Sequence, residues 1–514
     1  MAEVSRTARV IQNAKVALFF YCINLILQFF SRKIFLDYLG AELLGLNTTA
    51  QNLLQFLNLA ESGIGAAVAF ALYKPLSQKN RQEIIDIVSL QGWFYRWVGL
   101  FVIAGSIVLM AFFPWIFAKA DVPLIYAYGT FIAFLISALL GYFVNYKMIV
   151  LSADQKEYKI TIETQSIKVI KVFIQMLAIW KLPHGYVWWM MLEALSALIT
   201  SVRLTYCIKS EYPWLKSEIS RGNSLKVKYS FLLTKTKQLF FHKIGSYVLG
   251  QTTPLVVYAF SSLSVVAIYG NYVMIMMGCL LLTDAFFRGS NASVGDLVAE
   301  GNQELIKTVF WEIYTARIMF AGFMSFGLYS LSADFMQFWV GSSYVLPTTP
   351  CALLIGIYFI QMSRTCDIFI GAYGLFSDIW APIIESMLNL SLSIVLGYFY
   401  GLSGIFLGVL LSQIIVVNSW KAIFLYKKGF KENIFEFVLC YTKKIILLGL
   451  VFFFVELLMD NVLLLKNTGN KVAELFSSMA GLIIFLIVEL VLFFLFDSSC
   501  RSAVLRILKF IKKN

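Results

Sequence analysis

Charged residues that interrupt long apolar stretches are the groups in this sequence that could do chemistry. An Arg, Lys or Asp at the centre of a membrane helix costs about 2.5–3.5 kcal/mol, so such residues are expected to face a partner or a wet cavity. Guanidinium and ammonium groups bind phosphate oxygens, arginine with two parallel hydrogen bonds. A mainly cationic cavity would therefore suit an anionic head group. The candidates are five cations, Arg32, Lys168, Lys243, Arg288 and Arg364, and two carboxylates, Glu61 and Asp367.

A polar stripe accompanies Glu61. Asn47, Gln51, Asn58, Glu61 and Gly65 are separated by 4, 7, 3 and 4 residues, so they share one helical face. Such a face would be costly against lipid and is predicted to contact protein or water. Two interpretations stay open, the lining of a cavity or a packing seam of small and amide residues. A buried carboxylate needs a cationic partner or a proton, which favours the cavity.

Snorkelling is the competing explanation for several of the charges, because a long aliphatic stem can carry a charge to the membrane surface. Arg32 follows Lys15 by 17 residues, roughly 26 Å of helix rise, so it and Lys33 lie in the outer half. The same explanation applies near the inner surface to Lys243, Asp284, Arg288 and Arg317.

Two further positions are harder to explain by snorkelling. Arg364 and Asp367 are three residues apart in an apolar run without other clustered charge, and they are predicted to form an ion pair. Lys168 and Lys171 follow Glu163 within predicted span 161–181, in a helix that is otherwise largely apolar from Val169 to Trp180. We expect Lys168 to face the interior.

Long apolar stretches must position these residues. A hydrocarbon core of roughly 30 Å needs about 20 residues of helix. The chain is 60% hydrophobic and 14% charged, whereas soluble domains are about a quarter charged. The runs are continuous rather than alternating, which predicts helices and not barrel strands. We predict an all-α polytopic membrane protein with about 14 transmembrane helices: 14–38, 44–72, 88–113, 124–148, 161–181, 186–206, 238–260, 265–287, 309–331, 348–373, 379–400, 404–425, 443–459 and 476–496.

Lysine and arginine fall almost wholly into alternate gaps between these spans. By the positive-inside rule both termini are cytoplasmic. The net charge of +13 is then explained by basic residues in the cytoplasmic gaps, which set the topology and contact anionic membrane lipid. Binding of nucleic acid is not needed to explain it. The seven cysteines are scattered and form neither a disulfide framework nor a metal-ligand pattern. No metal or cofactor is expected.

Two basic linkers divide the chain. The predicted parts are an N-terminal six-helix lobe, a basic cytoplasmic linker, a C-terminal six-helix lobe, and two additional helices with a basic tail. If the six-helix lobes are repeats, both begin on the cytoplasmic side of the membrane and have the same orientation in it. The last two spans carry few polar residues and are interpreted as an appended pair. The boundaries are 1–206, 207–237, 238–425 and 426–514.

Several motifs resemble those of the Wzx-type polysaccharide flippases of the MOP superfamily, which also includes MATE exporters and lipid II flippases. Residues 28–85 contain an Arg near the end of the first helix, the corner Leu39-Gly40, then Gly45-Leu46-Asn47 and the run LAESGIG. The matches continue with LSADQK at 151–156, Trp339-Val340-Gly341, and the run PIIESMLNLSLSIVLGYFYGLSGIFLGVLLS. Together they extend over about 400 residues in order.

The resemblance implies two pseudo-symmetric six-helix lobes in a V around a central cavity with alternating access. It also implies a polyprenyl-pyrophosphate-linked oligosaccharide as cargo, moved from the cytoplasmic to the outer leaflet of a bacterial inner membrane, together with other polysaccharide assembly proteins. Cationic cavity residues would hold the pyrophosphate. Coupling to an H⁺ or Na⁺ gradient or to the membrane potential is left open. Many members carry an acidic residue where this chain has Gln251-Thr252-Thr253-Pro254, so cation coupling is not expected there.

Other functions remain as alternatives. A membrane enzyme would need a base or carboxylate array near an interface, whereas this chain has two histidines and no large predicted outer loop. Neither a Gly-rich phosphate loop nor a nucleotide-binding domain is apparent. We therefore predict a protein that is not an enzyme. Within transporters, lipid II has the same head-group chemistry and stays open as cargo, whereas a cationic lumen disfavours a cation-coupled exporter of small cationic molecules.

Overall fold

The protein is described from a computed structural model, in which the backbone covers residues 6–375, 380–462 and 471–513. Side chains are described over the same ranges except at 6–8, 10–11, 238–239, 241–249, 288–292, 460–462, 471–477 and 507–513. Every regular element in these ranges is helical, as the continuous apolar runs predict. The α-helices are α1 Arg6–Asn58, α2 Ile64–Ser77, α3 Arg81–Ala111, α4 Phe113–Ile116, α5 Leu124–Phe143, α6 Ile149–Ala153, α7 Glu157–Lys181, α8 Gly185–Glu211, α9 Gly222–Lys228, α10 Ser230–Phe260, α11 Leu263–Glu300, α12 Gln303–Trp339, α13 Thr348–Ser363, α14 Cys366–Ala372, α15 Trp380–Gln413, α16 Lys421–Leu425, α17 Phe435–Val462, α18 Lys471–Phe496 and α19 Ser498–Lys513.

Ten helical stretches within the described ranges are long and apolar enough to cross a membrane. The predicted class, an all-α polytopic membrane protein, is confirmed, whereas the count of 14 is not. Two of the ten stretches, Gln12–Glu61 and Trp380–Phe430, are about 50 residues long. Each contains a glycine with positive φ, Gly40 at 82° and Gly401 at 56°. Glycine adopts this conformation at no steric cost, so each long helix turns at the position where two predicted spans meet.

Contacts divide the chain into two compact units, Met1–Ala267 and Ile268–Asn514. The division falls within α11, and it groups α10 with the N-terminal unit. The predicted division at 207–237 follows sequence composition instead, so the predicted lobes and repeats remain a proposal.

The basic linker docks on α3 within the first unit. Asp86 is buried on α3, and its carboxylate lies 2.8 Å from the ammonium of Lys228. The hydroxyl of Ser89 accepts a hydrogen bond from the backbone N–H of Glu218. A side chain at Gly222 would clash with Trp93, since a Cβ there would lie 2.1 Å from its ring. The linker is therefore a folded part of this unit.

Asp154, in the predicted motif at 151–156, connects three elements of the same unit. Its carboxylate accepts a hydrogen bond of 2.6 Å from Tyr212 and pairs with Lys156 at 2.8 Å and Arg9 at 3.2 Å. Burial raises the pKa of the Asp154 carboxyl, but hydrogen bonds from Lys156 and Tyr212 and the charges of Lys156 and Arg9 outweigh burial. The net result is a pKa below the ordinary value of 3.8.

We expect Asp154→Asn to lower the melting temperature at pH 7 by about 2–4 °C, since charged hydrogen bonds of this kind contribute on the order of 1–2 kcal/mol. A carboxyl with a depressed folded pKa stabilises the protein above its unfolded pKa and loses that effect as pH falls. The difference from wild type should therefore shrink between about pH 5 and pH 3. Thermal unfolding of the detergent-solubilised protein measures it, with the exposed Asp121→Asn as control. A difference that is as large at pH 3 as at pH 7 would contradict the role of the carboxylate charge.

The second unit buries an aromatic core in which α12 contacts α17, α18 and α19. Phe326 stacks on Phe485 with ring centroids 4.4 Å apart. The two helices that the sequence analysis interprets as an appended pair, α17 and α18, bury charged side chains that the sequence did not indicate. Lys444 of α17 is fully buried and pairs with Asp497, and Glu489 of α18 is buried beside Gly322 of α12.

Candidate functional site

A break in the helix of predicted span ten is the centre of the candidate site. α13 ends at Ser363 and α14 begins at Cys366, with Arg364 at φ −59° and ψ 98° between them. The backbone carbonyl of Arg364 accepts a hydrogen bond from the side chain of Arg317 on α12. Non-helical backbone at membrane depth is tolerated where protein covers it or where it lines a wet cavity. The break is therefore a position at which the second unit can expose polar groups.

An ion triad occupies this break. The Asp367 carboxylate receives a hydrogen bond of 2.7 Å from Nε of Arg364 through one oxygen, and a bond of 2.6 Å from Nζ of Lys421 through the other. The predicted pair between Arg364 and Asp367 is therefore present. Lys421 is the more enclosed cation, with 12% of its side chain exposed, while Asp367 is 35% exposed. One carboxylate thus bridges two cations.

Lys421 reaches the triad from a helix with irregular winding. The stretches Ile414–Trp420 and Tyr426–Phe430 are π-helical and flank the short α16. Wider helical turns of this kind are frequent at functional sites. On the same segment the amide of Asn418 donates a 2.7 Å hydrogen bond to the hydroxyl of Tyr441, which fixes the lining beside Lys421.

Two buried charges complete the cluster. Arg317 is 7% exposed, and its Nε has no hydrogen-bond partner among the residues that the structure describes. Glu385 on α15 is 4% exposed and interacts electrostatically with Arg364 and Lys421. Arg317 also interacts electrostatically with Asp284 of α11. The cluster therefore contains three cations, Arg317, Arg364 and Lys421, and three carboxylates, Asp284, Asp367 and Glu385. Within it, Arg364 and Lys421 share one directly bonded carboxylate, Asp367.

A small pocket opens onto this cluster. Besides Arg364, Asp367 and Lys421, its wall includes the hydroxyl-bearing side chain of Tyr314 and the amide of Asn418. Asp367 lies between the two cations, where an incoming anion would have to bind. The pocket thus has the donors for an anionic group and a carboxylate already in contact with them.

The polar stripe of the first unit is satisfied by tyrosines. Asn47 accepts a hydrogen bond of 2.6 Å from Tyr186. Asn58 accepts one of 2.9 Å from Tyr142, and Glu61 accepts one of 2.9 Å from Tyr95. These contacts favour the packing seam over the cavity for the three residues. Gln51 is exposed.

The helix that carries Glu61 is irregular. α1 ends at Asn58, a single 3₁₀ turn covers Leu59–Glu61, and α2 starts after Gly63, whose φ is 97°. Predicted span two is therefore interrupted at the carboxylate. The rings of Tyr95 and Tyr142 contact each other edge to face at 5.6 Å, so the hydroxyls that meet Glu61 and Asn58 belong to one cluster.

The other predicted cations are distributed more widely. Arg32 is partly buried and donates a hydrogen bond of 3.2 Å to the carbonyl of Ala267. Lys168 is exposed, whereas the nearby Lys171 contacts both carboxylate oxygens of Glu193 at 2.8 Å. The side chains of Lys243 and Arg288 lie outside the described residues. Of the predicted set, the structure brings together Arg364 and Asp367.

Sequence reasoning missed Lys421 and gave no site role to Glu385 or Arg317. A usable signal for Lys421 was present, because it is an ionisable residue within predicted span 404–425. Its 54-residue separation from Asp367 gave no indication of contact. Within the described ranges, no group of three or more His, Cys, Asp or Glu side chains is arranged to hold a metal ion.

No protein-family model matches the chain, and no curated protein matches it. Solved structures do match. Lipid II flippase MurJ in an inward closed conformation is 16% identical with a TM-score of 0.63, over 94% of this chain and 99% of that one. A multidrug resistance MATE family transporter of the MOP superfamily, inward-facing, is 11% identical with a TM-score of 0.57, over 82% of this chain and 99% of that one. The chain therefore has the fold of MOP-superfamily transporters.

Proposed function

We propose that this chain is a flippase that moves polyprenyl-pyrophosphate-linked oligosaccharide units from the cytoplasmic to the outer leaflet by alternating access, for surface polysaccharide biosynthesis. The observation that carries the proposal is the pair of cations at the broken helix, Arg364 and Lys421, which line a pocket and share a single directly bonded carboxylate. Arg364 and Lys421 are the proposed ligands of the pyrophosphate, and Arg317 supplies positive charge behind them. The sugar would occupy the aqueous lumen while the polyprenyl tail stays in lipid.

The fold supports transport of a lipid-linked substrate. One protein with this fold is described as a lipid II flippase, and its cargo has the same kind of diphosphate head group as the proposed oligosaccharide cargo. Energetics also agree with an anionic cargo. Moving negative charge from a negative cytoplasm outward is favourable by about 2.3 kcal/mol per charge per 100 mV. No cofactor is required for this step, and an H⁺ or Na⁺ gradient could add to it.

Most of the other residues predicted from the sequence are proposed to make secondary contacts along the path of the cargo. Arg32, Lys168, Lys243 and Arg288 are proposed to hold the anionic head group along its path. Of the polar stripe, the exposed Gln51 is proposed to contact sugar or water on that path, while Asn47, Asn58 and Glu61 belong to the packing seam with tyrosines. The protein is proposed to lie in the inner membrane of a bacterium with both termini cytoplasmic, beside other polysaccharide assembly proteins.

Two related functions are the alternatives. Lipid II shares the diphosphate chemistry, so the cation cluster suits it equally. Export of small cationic molecules is favoured by the shared fold with a multidrug resistance MATE transporter, but the two cations that line the pocket, Arg364 and Lys421, would repel such molecules. The charge of the cargo therefore distinguishes the proposed flippase from a cation exporter. The identity of the glycan distinguishes it from a lipid II flippase.

Reconstitution into liposomes tests the proposal directly. Purified protein would be inserted into vesicles that contain a fluorescent polyprenyl-diphosphate oligosaccharide, lipid II, or a polyprenyl monophosphate sugar. Accessibility of the fluorophore to an external quencher reports its movement between leaflets. We expect the diphosphate oligosaccharide to move at least tenfold faster than in empty vesicles. Preference for lipid II would shift the conclusion to that alternative, and export of a cationic dye with no lipid movement would overturn the proposal.

A further inference from the structure

We infer that Asp367 is an internal counter-ion that the diphosphate of the cargo displaces from Arg364 and Lys421. The inference rests on the proposed function and assigns a specific exchange to its site. In the unloaded site the carboxylate occupies both cations. In the loaded site the cargo phosphate takes the same two contacts, and Asp367 moves aside until the cargo leaves.

The geometry of the triad supports such an exchange. Asp367 uses one oxygen for Nε of Arg364 at 2.7 Å and the other for Nζ of Lys421 at 2.6 Å. Two oxygens of one phosphate group can bridge the same pair, since phosphate and carboxylate are both bound by charge-assisted hydrogen bonds at these distances. The carboxylate therefore has the position and the contacts that the proposed cargo requires.

Charge makes the exchange favourable for a diphosphate. Asp367 supplies one negative charge to two cations, whereas a diphosphate diester carries two. Glu385 is buried and interacts with the same cations, so it stays in place as the fixed negative charge. The charge of Arg317 is offset by Asp284, with which it interacts electrostatically. A doubly charged ligand thus matches the two cations that Asp367 contacts, Arg364 and Lys421, better than the single carboxylate does.

The backbone around Asp367 also permits movement. Asp367 lies in the first turn of α14, directly after the break at Arg364. Its side chain is 35% exposed, against 12% for Lys421. A rotation of this side chain away from Arg364 and Lys421 would release both cations without unwinding a long helix. The carboxylate is therefore the mobile member of the triad, and Lys421 is the fixed one.

Exchange also explains how a tightly held anion could leave. A pocket that bound diphosphate through Arg364 and Lys421 with no competing carboxylate would release it slowly, since affinity differences are expressed mainly in dissociation rates. A resident carboxylate that competes for the same contacts lowers the affinity and restores the unloaded state after release. Asp367 would then set the balance between binding and release.

Binding of inorganic pyrophosphate to the full-length protein in detergent tests the inference. We expect Asp367→Asn to bind pyrophosphate at least tenfold more tightly than wild type, and Asp367→Glu, which keeps the charge, to show no such gain. Adding Arg364→Gln to Asp367→Asn should abolish the gain. The matched control is Asp497→Asn, which removes a carboxylate from another buried lysine pair, that of Lys444, and should leave pyrophosphate affinity unchanged.

Loss of a carboxylate between cations can itself destabilise the protein, so melting temperatures belong in the same experiment. If Asp367→Asn is unstable alone, pyrophosphate should restore its melting temperature, because the ligand replaces the missing charge. Equal or weaker binding by Asp367→Asn, or instability that pyrophosphate does not repair, would show a structural triad and overturn the inference.

The result is separable from that of the proposed function. In the liposome assay, Asp367→Asn should bind pyrophosphate more tightly yet move the lipid-linked oligosaccharide more slowly than wild type. Wild-type transport with no gain in affinity for the variant would reject the exchange and keep the function. A gain in affinity with no lipid transport by wild type would identify a diphosphate site and reject the flippase.

Discussion

Replacing Arg364 by alanine is expected to reduce outward movement of the lipid-linked oligosaccharide at least tenfold. The guanidinium is one of two cations that contact Asp367, at 2.7 Å, and it is proposed to contact the cargo diphosphate. Hydrogen bonds to charged groups contribute about 1.5–3 kcal/mol, and about 1.4 kcal/mol corresponds to a factor of ten. Arg364→Lys should retain part of the rate, because an ammonium supplies charge without the two-pronged geometry.

The Arg364→Ala substitution is expected to preserve the local fold. Arg317 donates to the backbone carbonyl of residue 364, not to its side chain, so that contact survives the substitution. The control is Arg203→Ala, which removes an arginine from an exposed ion pair with Glu163 at 2.9 Å. Liposome transport at matched protein levels is the measurement. Wild-type rates for Arg364→Ala would exclude the cluster as the anion site.

The sequence was sufficient to predict the class of fold and one of the two ion pairs in the triad. The length of an apolar segment predicts a membrane helix because each spanning segment must by itself match the thickness of the hydrocarbon core. Arg364 and Asp367 could be paired because they are three residues apart in one segment. Both inferences depend on local spacing, which a sequence states directly.

Lys421 could not be paired with Asp367 in the same way. Its contact depends on how α16 packs beside α14 and on π-helical winding before and after α16. The break after Ser363 is equally invisible, since no proline or glycine occurs between Ser363 and Cys366. The hydrogen bond from Arg317 to the freed carbonyl shows that tertiary contacts compensate for the lost helical bond.

The environment of the polar stripe could not be predicted from the sequence. Spacing predicts that Asn47, Asn58 and Glu61 share one face of a helix, yet it cannot specify the groups that they meet. Those groups are hydroxyls of tyrosines from α8, α5 and α3, at distances of 2.6–2.9 Å. Apolar segments with tyrosine are ordinary in membrane helices, so no sequence signal marked these tyrosines as partners.

Replacing Gly408 by valine is expected to destabilise the second unit severely. The two arms of α15 on either side of Gly401 pack backbone against backbone. A Cβ at Gly408 would lie 2.5 Å from the nitrogen and 2.7 Å from the Cα of Ser393. Because these obstructing atoms are backbone, a side-chain rotation cannot relieve the clash. Overpacking typically costs about 1–3 kcal/mol, and this contact should reach about 3 kcal/mol or more.

Small residues at such a crossing are the usual means by which membrane helices approach closely. Polar contacts between the arms depend on that approach, since the hydroxyl of Ser393 donates to the carbonyl of Ile405 at 3.2 Å. We therefore expect Gly408→Val to separate the arms and to yield aggregated protein or a melting temperature lowered by about 6 °C or more. Gly449→Val is the matched control, because a Cβ there meets nothing within 4 Å. Equal melting temperatures for the two variants would contradict the close crossing, and with it the hairpin at Gly401 that positions Glu385 and Lys421 in one unit.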